Sequence, residues 1–257
     1  MDFDLTDEQK DIIKAAREFA EKEFPNLAQE CDREEKSPKP LWEKACKLGF
    51  VGVFIPEAYG GAGLGYLEHC LINEEFWRVD PGIAHFILAG TFGSEIILLF
   101  GNEEQKKKYL IPLTRGETIS SGAFTEPDHG SDITQMATTA ILGDGEFIIN
   151  GTKTFITNGT IAKFAIVLSQ TDPSAKPSYR GQSTILVETD REGFDVSDVG
   201  EKMGIKLSPT TEMSFNNVKV PQENLVGELH RGFYNVLEFF DESRVLVGAQ
   251  GLGIAQG

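Results

Sequence analysis

The order of local patterns along the chain is the strongest constraint on its fold. Helical spacing runs to about residue 119, short β-branched runs and turns fill 120–228, and helical spacing returns from 229. A chain that changes period only twice is not a βαβ alternation. The expected class is α+β and multi-domain. An N-terminal all-α domain spans 1–119, a middle antiparallel β domain 120–228, and the beginning of a C-terminal helical bundle 229–257.

Local signals fill in that outline. Thr6-Asp7-Glu8-Gln9 fits a capping box, after which Ile12, Ile13, Ala16, Phe19 and Ala20 recur at helical spacing. Further helices are predicted over 40–49, 66–79 and 83–100, and Lys106-Lys107-Lys108-Tyr109 reads as a solvated helix face. In the middle region Asn150-Gly151 separates two strand-like runs, 147–149 and 152–157. Asn-Gly accepts the positive φ angles of a type I′ turn, so a hairpin is predicted there. Strands are expected over 163–168, 183–188 and 212–220, with a loop over 171–181. From 229, Phe233, Val236, Leu237, Phe240, Val245 and Leu246 predict a helix running towards Ala255.

Charge and cysteine usage narrow the partners. A net charge of -16 argues against nucleic acid and anionic membrane surfaces and suits an acidic cytoplasmic protein. Cys31, Cys46 and Cys70 have no regular spacing, which implies a reducing compartment and no disulfide frame. The acidic start, MDFDLTDEQ, reads as neither a signal nor a transit peptide. No run approaches ~20 uninterrupted apolar residues, so no membrane span is expected.

Common chemical motifs fail on inspection. The glycine loop over 59–65 breaks the dinucleotide fingerprint at Tyr66, and Gly251-x-Gly253 breaks it at Gln256. His69, His85, His129 and His230 are scattered, so no metal is expected. Two stretches remain: Ala123-Phe-Thr-Glu-Pro-Asp-His-Gly-Ser-Asp132 and Phe155-Ile-Thr-Asn-Gly159. Both set small hydroxyls and glycines just outside strands, where backbone N–H groups and hydroxyls suit a phosphate or the rim of a polar ring.

Those two stretches carry a family resemblance, supported by Leu48-Gly-Phe50, Ile55-Pro-Glu-Ala-Tyr-Gly-Gly61, Gly101-Asn102, Gln105-Lys-Lys-Lys-Tyr109, Asn216-Asn-Val-Lys-Val-Pro221 and Asp241-Glu-Ser-Arg244. In order and spacing the chain resembles the acyl-CoA dehydrogenase family of flavoenzymes from Leu5 to its last residue. The resemblance implies FAD held between the β domain and C-terminal helices, an acyl-CoA thioester lying along it, and electrons passed to an electron-transfer flavoprotein. It also implies a homotetramer of the full-length chain.

By position, the resemblance places Phe124, Thr125, Gly130, Ser131, Phe155 and Thr157 around the flavin. Ser131 also faces the CoA arm, Leu88 and Thr91 lie along the acyl pocket, and Asp241 and Arg244 lie near the CoA and thioester. His129 is expected at the rim of the site. The family's catalytic glutamate falls beyond residue 257. The alternative site used by some members, just before the arginine, is Ser243, and Glu242 lies about 100° away round the helix. The implied substrate is a short, branched or alicyclic acyl-CoA. Alternatives are an oxidase, monooxygenase or decarboxylating dehydrogenase on the same fold, or a non-catalytic acyl-CoA-binding protein.

Overall fold

A computed structural model describes residues 3–257. The helical part comprises α1 (Asp7–Glu23), α2 (Pro25–Glu34), α3 (Lys39–Lys47), α4 (Tyr66–Val79), α5 (Pro81–Leu88), α6 (Ser94–Phe100), α7 (Glu103–Gln105) and α8 (Ile111–Thr114). Strands β1 (Ser120–Ala123), β2 (Thr139–Gly143), β3 (Glu146–Thr157), β4 (Phe164–Gln170), β5 (Gln182–Glu188), β6 (Phe194–Asp198), β7 (Thr210–Pro221) and β8 (Leu225–Val226) follow. A long helix, α9 (Gly232–Gln256), completes the chain.

The capping box at the start of α1 forms as read. Thr6 Oγ1 accepts from the Gln9 amide at 3.2 Å, and Gln9 Oε1 accepts from the Thr6 amide at 3.0 Å. The buried face of α1 then packs on α4, where Phe19 stacks on Phe76 with ring centroids 5.6 Å apart. The predicted helix over 83–100 is interrupted. Gly93 has φ 91°, and a Cβ there would come within 2.9 Å of Ser121 O and Gly122 Cα on β1. The close approach to the sheet requires glycine, and the turn it makes separates α5 from α6. The segment Pro81–Phe100 reaches a mean hydropathy of 1.8, with 67% of that window buried in the protein.

The run Lys106–Leu110 corrects another expectation. It forms one wide π turn, so Tyr109 swings inward and is buried, while its neighbouring lysines stay at the surface. Tyr109 Oη donates to Glu188 Oε1 at 2.5 Å, tying the helical part to β5.

The eight strands form one sheet in the order β6-β7-β3-β2-β4-β5-β8, with β1 paired to β4. It is mainly antiparallel, but β1–β4 and β2–β4 are parallel. The predicted hairpin at Asn150-Gly151 does not form. The β2–β3 turn is Asp144-Gly145, with φ 53° and 83°, the left-handed pair a type I′ turn demands. Asn150-Gly151 instead lies inside β3 at a shift of register against β7. There Gly151 has φ 143°, and a Cβ would meet Thr138 Oγ1 at 2.5 Å. Both dipeptides carry the same local signal, and the long-range pairing of β3 with β7 decides between them.

Strand β4 is buried on both faces. Phe164, Ile166 and Leu168 join the core shared with the helices, whereas Ala165 and Val167 join a second core with Phe147, Ile149 and Met213.

Candidate functional site

The two loops singled out from the sequence lie side by side. Ser121 Oγ donates to Thr157 O at 2.7 Å, and the Thr154 amide donates to Thr125 O at 2.9 Å. The ends of β1 and β3 are thereby stapled into one shelf. Glu126-Pro127-Asp128-His129 closes on itself: Glu126 N donates to His129 O at 2.8 Å, and His129 N to Glu126 O at 3.1 Å. His129 is half-buried on this turn, beside the exposed Gly130 and Ser131.

A buried ion pair holds the shelf from beneath. Glu126 accepts from Lys153 Nζ at 2.8 Å and from the amides of Ala137 and Thr138 at 2.7 and 2.9 Å. Lys153 Nζ also donates to Phe124 O at 3.1 Å. Burial pushes the Lys153 ammonium down to about 8, against the opposing pull of Glu126. Burial would raise the Glu126 carboxyl, but Lys153 outweighs it and holds the group below its ordinary value. Sequence reasoning passed over Lys153 because a lysine ordinarily reads as solvated. The usable signal was its place in a β-branched run two residues before Phe155.

Phe155 breaks the alternation of β3. It has φ 56° at a bulge and is 67% exposed, while Lys153, Thr154 and Ile156 are all buried. The shelf therefore presents an aromatic face. The half-buried Thr125 and Thr157 engage through their backbone carbonyls, and neither hydroxyl bonds to another described residue. Asn158, buried with φ 64°, locks the second loop: its side chain donates to Ala89 O at 3.0 Å and accepts from Ser208 Oγ at 2.7 Å.

Ala89 belongs to the next feature, a cleft of about 540 Å³ between α4, α5 and α9. Leu88, Phe92, Phe240 and Leu246 give it apolar walls, with Glu95, His69, Asn73 and Gln250 among its polar lining. Phe124 connects cleft and shelf. Its ring is buried and packs against Phe240 at 5.6 Å edge-to-face, and against Phe92 at 6.3 Å. Its side chain is thus aromatic core, and only its backbone borders the shelf.

The expected substrate residues divide. Leu88 and Arg244 line the cleft. Thr91 does not: it is buried, with its hydroxyl turned to Leu88 O at 3.4 Å. Asp241 is exposed and pairs with Arg244 at 3.3 Å, and Arg244 Nε donates to Phe240 O at 2.8 Å. Ser243 lines the cleft and turns its hydroxyl to Phe240 O at 3.5 Å. Glu242 is absent from the cleft lining and lies towards Tyr66. Glu95, His69 and Asn73 were missed from the sequence, because helical spacing set them among apolar neighbours and nothing local marked them as polar lining.

Comparison with known proteins covers the same stretch. Residues 6–117 match the acyl-CoA dehydrogenase N-terminal domain and 121–218 the middle domain. The chain is 39% identical to an acryloyl-CoA reductase (NADH) of Anaerotignum propionicum, over 100% of the chain and 65% of the relative. Its fold superposes on butyryl-CoA dehydrogenase from Megasphaera elsdenii with TM-score 0.93 and 37% identity, covering 100% of the chain and 68% of the neighbour. A second neighbour, from a study of the electron transferring flavoprotein of Acidaminococcus fermentans, gives TM-score 0.94 at 38% identity, covering 100% and 67%. The chain thus spans about two thirds of the length of these proteins.

Proposed function

The chain belongs to the acyl-CoA dehydrogenase family, and we propose that it supplies the flavin shelf and acyl cleft of an FAD-dependent acyl-CoA dehydrogenase. The reaction is α,β-dehydrogenation of a short acyl-CoA thioester, with electrons passed to an electron-transfer flavoprotein. The observation that carries this reading is the junction at Phe124. A shelf with an exposed aromatic ring and two uncommitted hydroxyls meets an apolar cleft across one aromatic cluster.

The residues present fit the cofactor. A flavin ring needs an aromatic or backbone surface beneath it and hydrogen-bond donors at its polar edge, since unpaired buried polar atoms cost about 1–3 kcal/mol each. Phe155 offers the surface, and the Thr125 and Thr157 hydroxyls are free to donate. When bound, FAD supplies the hydride acceptor. The exposure of Ser131 beside Gly130 supports a role for its hydroxyl towards the phosphate side or the CoA arm.

The remaining chemistry is divided among other groups. Leu88, Phe92 and Phe240 exclude water from the acyl chain, which strengthens polar interactions made within the cleft. Arg244 lines the same cleft and is anchored on Phe240 O, which supports a role for it near the CoA thioester. We assign removal of the α-proton to no residue within 1–257, because Ser243 is no base and Glu242 does not line the cleft. The reductase and butyryl-CoA dehydrogenase relatives support a short acyl group, with the same redox step usable in either direction.

The test mixes the full-length gene product anaerobically with butyryl-CoA and an electron-transfer flavoprotein. Reduction of the partner's flavin that depends on butyryl-CoA supports the reading. Reduction of oxygen but never of the partner points instead to an oxidase on this fold.

A further inference from the structure

Resting on the acyl-CoA reading above, we propose that Glu95 makes the cleft it lines selective for an acyl chain whose far end carries a hydrogen-bond donor, a hydroxyl or an ammonium group. Glu95 lies in the first turn of α6, is 4% exposed, and lines the cleft. Its Oε2 has no hydrogen-bonding partner. Among the described residues no lysine, arginine or histidine forms an ion pair with it.

The surroundings accentuate this. His69 also lines the cleft, is 3% exposed, and leaves Nδ1 unpartnered. Asn73 is already committed: it donates to His69 O at 3.0 Å and accepts from Gln250 at 3.3 Å. Leu88, Phe92, Leu246 and Val247 give apolar walls, while the other polar lining is His85, Ser243, which turns to Phe240 O, and Arg244, which pairs with Asp241. Tyr66 and Glu242 act on Glu95 from outside the lining, and neither brings a positive charge.

The amides of Gly93 and Glu95 favour the charged form of the Glu95 carboxyl, yet Oε2 stays unpaired, and a cleft made for a plain alkyl chain has no use for such a buried carboxyl oxygen. Such a group is costly to bury, and leucine would fill the space without that penalty. Burial pushes the Glu95 carboxyl up to about 8, so the group is held poised between acid and carboxylate. As the acid it accepts a hydrogen bond through its carbonyl oxygen and can donate one in return. As the carboxylate it pairs with an ammonium group. Both forms reward a donor at the end of the acyl chain, and both penalise a methyl group that leaves Oε2 unpaired.

The experiment uses the full-length holoprotein and compares three thioesters of matched length: pentanoyl-CoA, ω-hydroxybutyryl-CoA and ω-aminobutyryl-CoA. The readout is the ratio of kcat/KM for each polar substrate to that for pentanoyl-CoA. The wild type is expected to favour at least one polar substrate by about tenfold or more, with Glu95→Leu reversing that ratio and Glu95→Gln retaining part of it. Preference for the hydroxyl indicates the acid form and preference for the ammonium the carboxylate, and either supports the proposal. A wild type that favours pentanoyl-CoA, with a ratio unmoved by both variants, overturns it while leaving the dehydrogenase reading intact. Failure of every thioester to reduce the flavin refutes the dehydrogenase reading, and this one with it.

Discussion

Glu126 Oε1 lies 2.8 Å from Lys153 Nζ, with both side chains sealed from solvent, and the same ammonium reaches Phe124 O. One buried pair therefore fixes the height of β3 beneath the loop that carries Thr125 and Ser131. Removing one partner leaves the other charge buried and alone, at a cost of about 3–5 kcal/mol. Lys153→Met is expected to lower stability in urea by that order and to release FAD. Removing both charges, with Glu126→Leu beside Lys153→Met, should recover part of the loss. A single variant as stable as wild type contradicts the placement.

Thr157 is expected to act on the reaction more than on binding. Its carbonyl is held by Ser121, which leaves the hydroxyl free to donate to the flavin. Thr157→Ala should slow flavin reduction by about tenfold, the worth of one good hydrogen bond, with a smaller change in CoA affinity. Rapid mixing separates the two quantities. Equal reduction rates in mutant and wild type would remove Thr157 from the flavin edge.

Two histidines make the fold acid-sensitive, His69 buried and His85 half-buried. Desolvation holds both His69 and His85 down at about 4, with the Lys202 ammonium adding to the effect at His85. The unfolded chain takes up these protons as pH falls through about 6.5, while the folded chain resists until about 4. Stability from these groups is therefore full above about 6.5 and lost progressively down to about 4. His69→Phe should flatten that slope in denaturation curves measured across the window. An unchanged slope would show that His69 is not buried as the neutral ring.

Glu95 imposes the opposite slope. Its folded carboxyl titrates near 8, above its ordinary value of 4.5, so the folded state holds a proton that the unfolded chain has released. Stability from this group is present below about 4.5 and lost as pH rises through about 8. Glu95→Gln should therefore stabilise the protein more at pH 8.5 than at pH 5, by an amount on the order of a few kcal/mol. Equal effects at both ends would place the carboxyl in water.

Glu188 couples the helical part to the sheet. Burial would raise its carboxyl, but Tyr109 and Arg191 outweigh that and hold it at about 2. Arg191 donates two bonds to Oε2, at 2.6 and 2.8 Å, and Asn224 a third at 3.0 Å. The stabilisation is present above about 4.5 and fades as pH falls towards 2. Glu188→Gln should cost on the order of 2–3 kcal/mol at pH 7 and progressively less in acid, as measured by thermal unfolding at each pH. A loss independent of pH would assign Glu188 a packing role only.

Much of this architecture was legible in the residues. The Thr6 capping box, the helix of α4, and the change of period near Ser120 rest on short-range rules that the fold does not override. The failures share a cause: each was decided by residues distant in sequence. Asp144-Gly145 took the turn that Asn150-Gly151 signals equally well, because β3 pairs with β7 through Gly151. Gly93 broke a helix whose spacing was sound, because β1 passes close by. Lys153 is buried only because Glu126 arrives from another loop. The two site loops were visible as loops, but their adjacency depends on Ser121 reaching Thr157. Glu95 shows no local sign of its role, since a cleft lining is defined by α4 and α9 together with its own helix.

An acyl thioester in the Leu88–Arg244 cleft is expected to reduce FAD seated on the Thr125–Thr157 shelf. The most direct measurement is the flavin's visible absorbance when butyryl-CoA and its polar analogues are mixed with the full-length protein without oxygen. The expected result is a yellow protein that bleaches with at least one thioester. A protein that binds FAD and is bleached by none of them would contradict it.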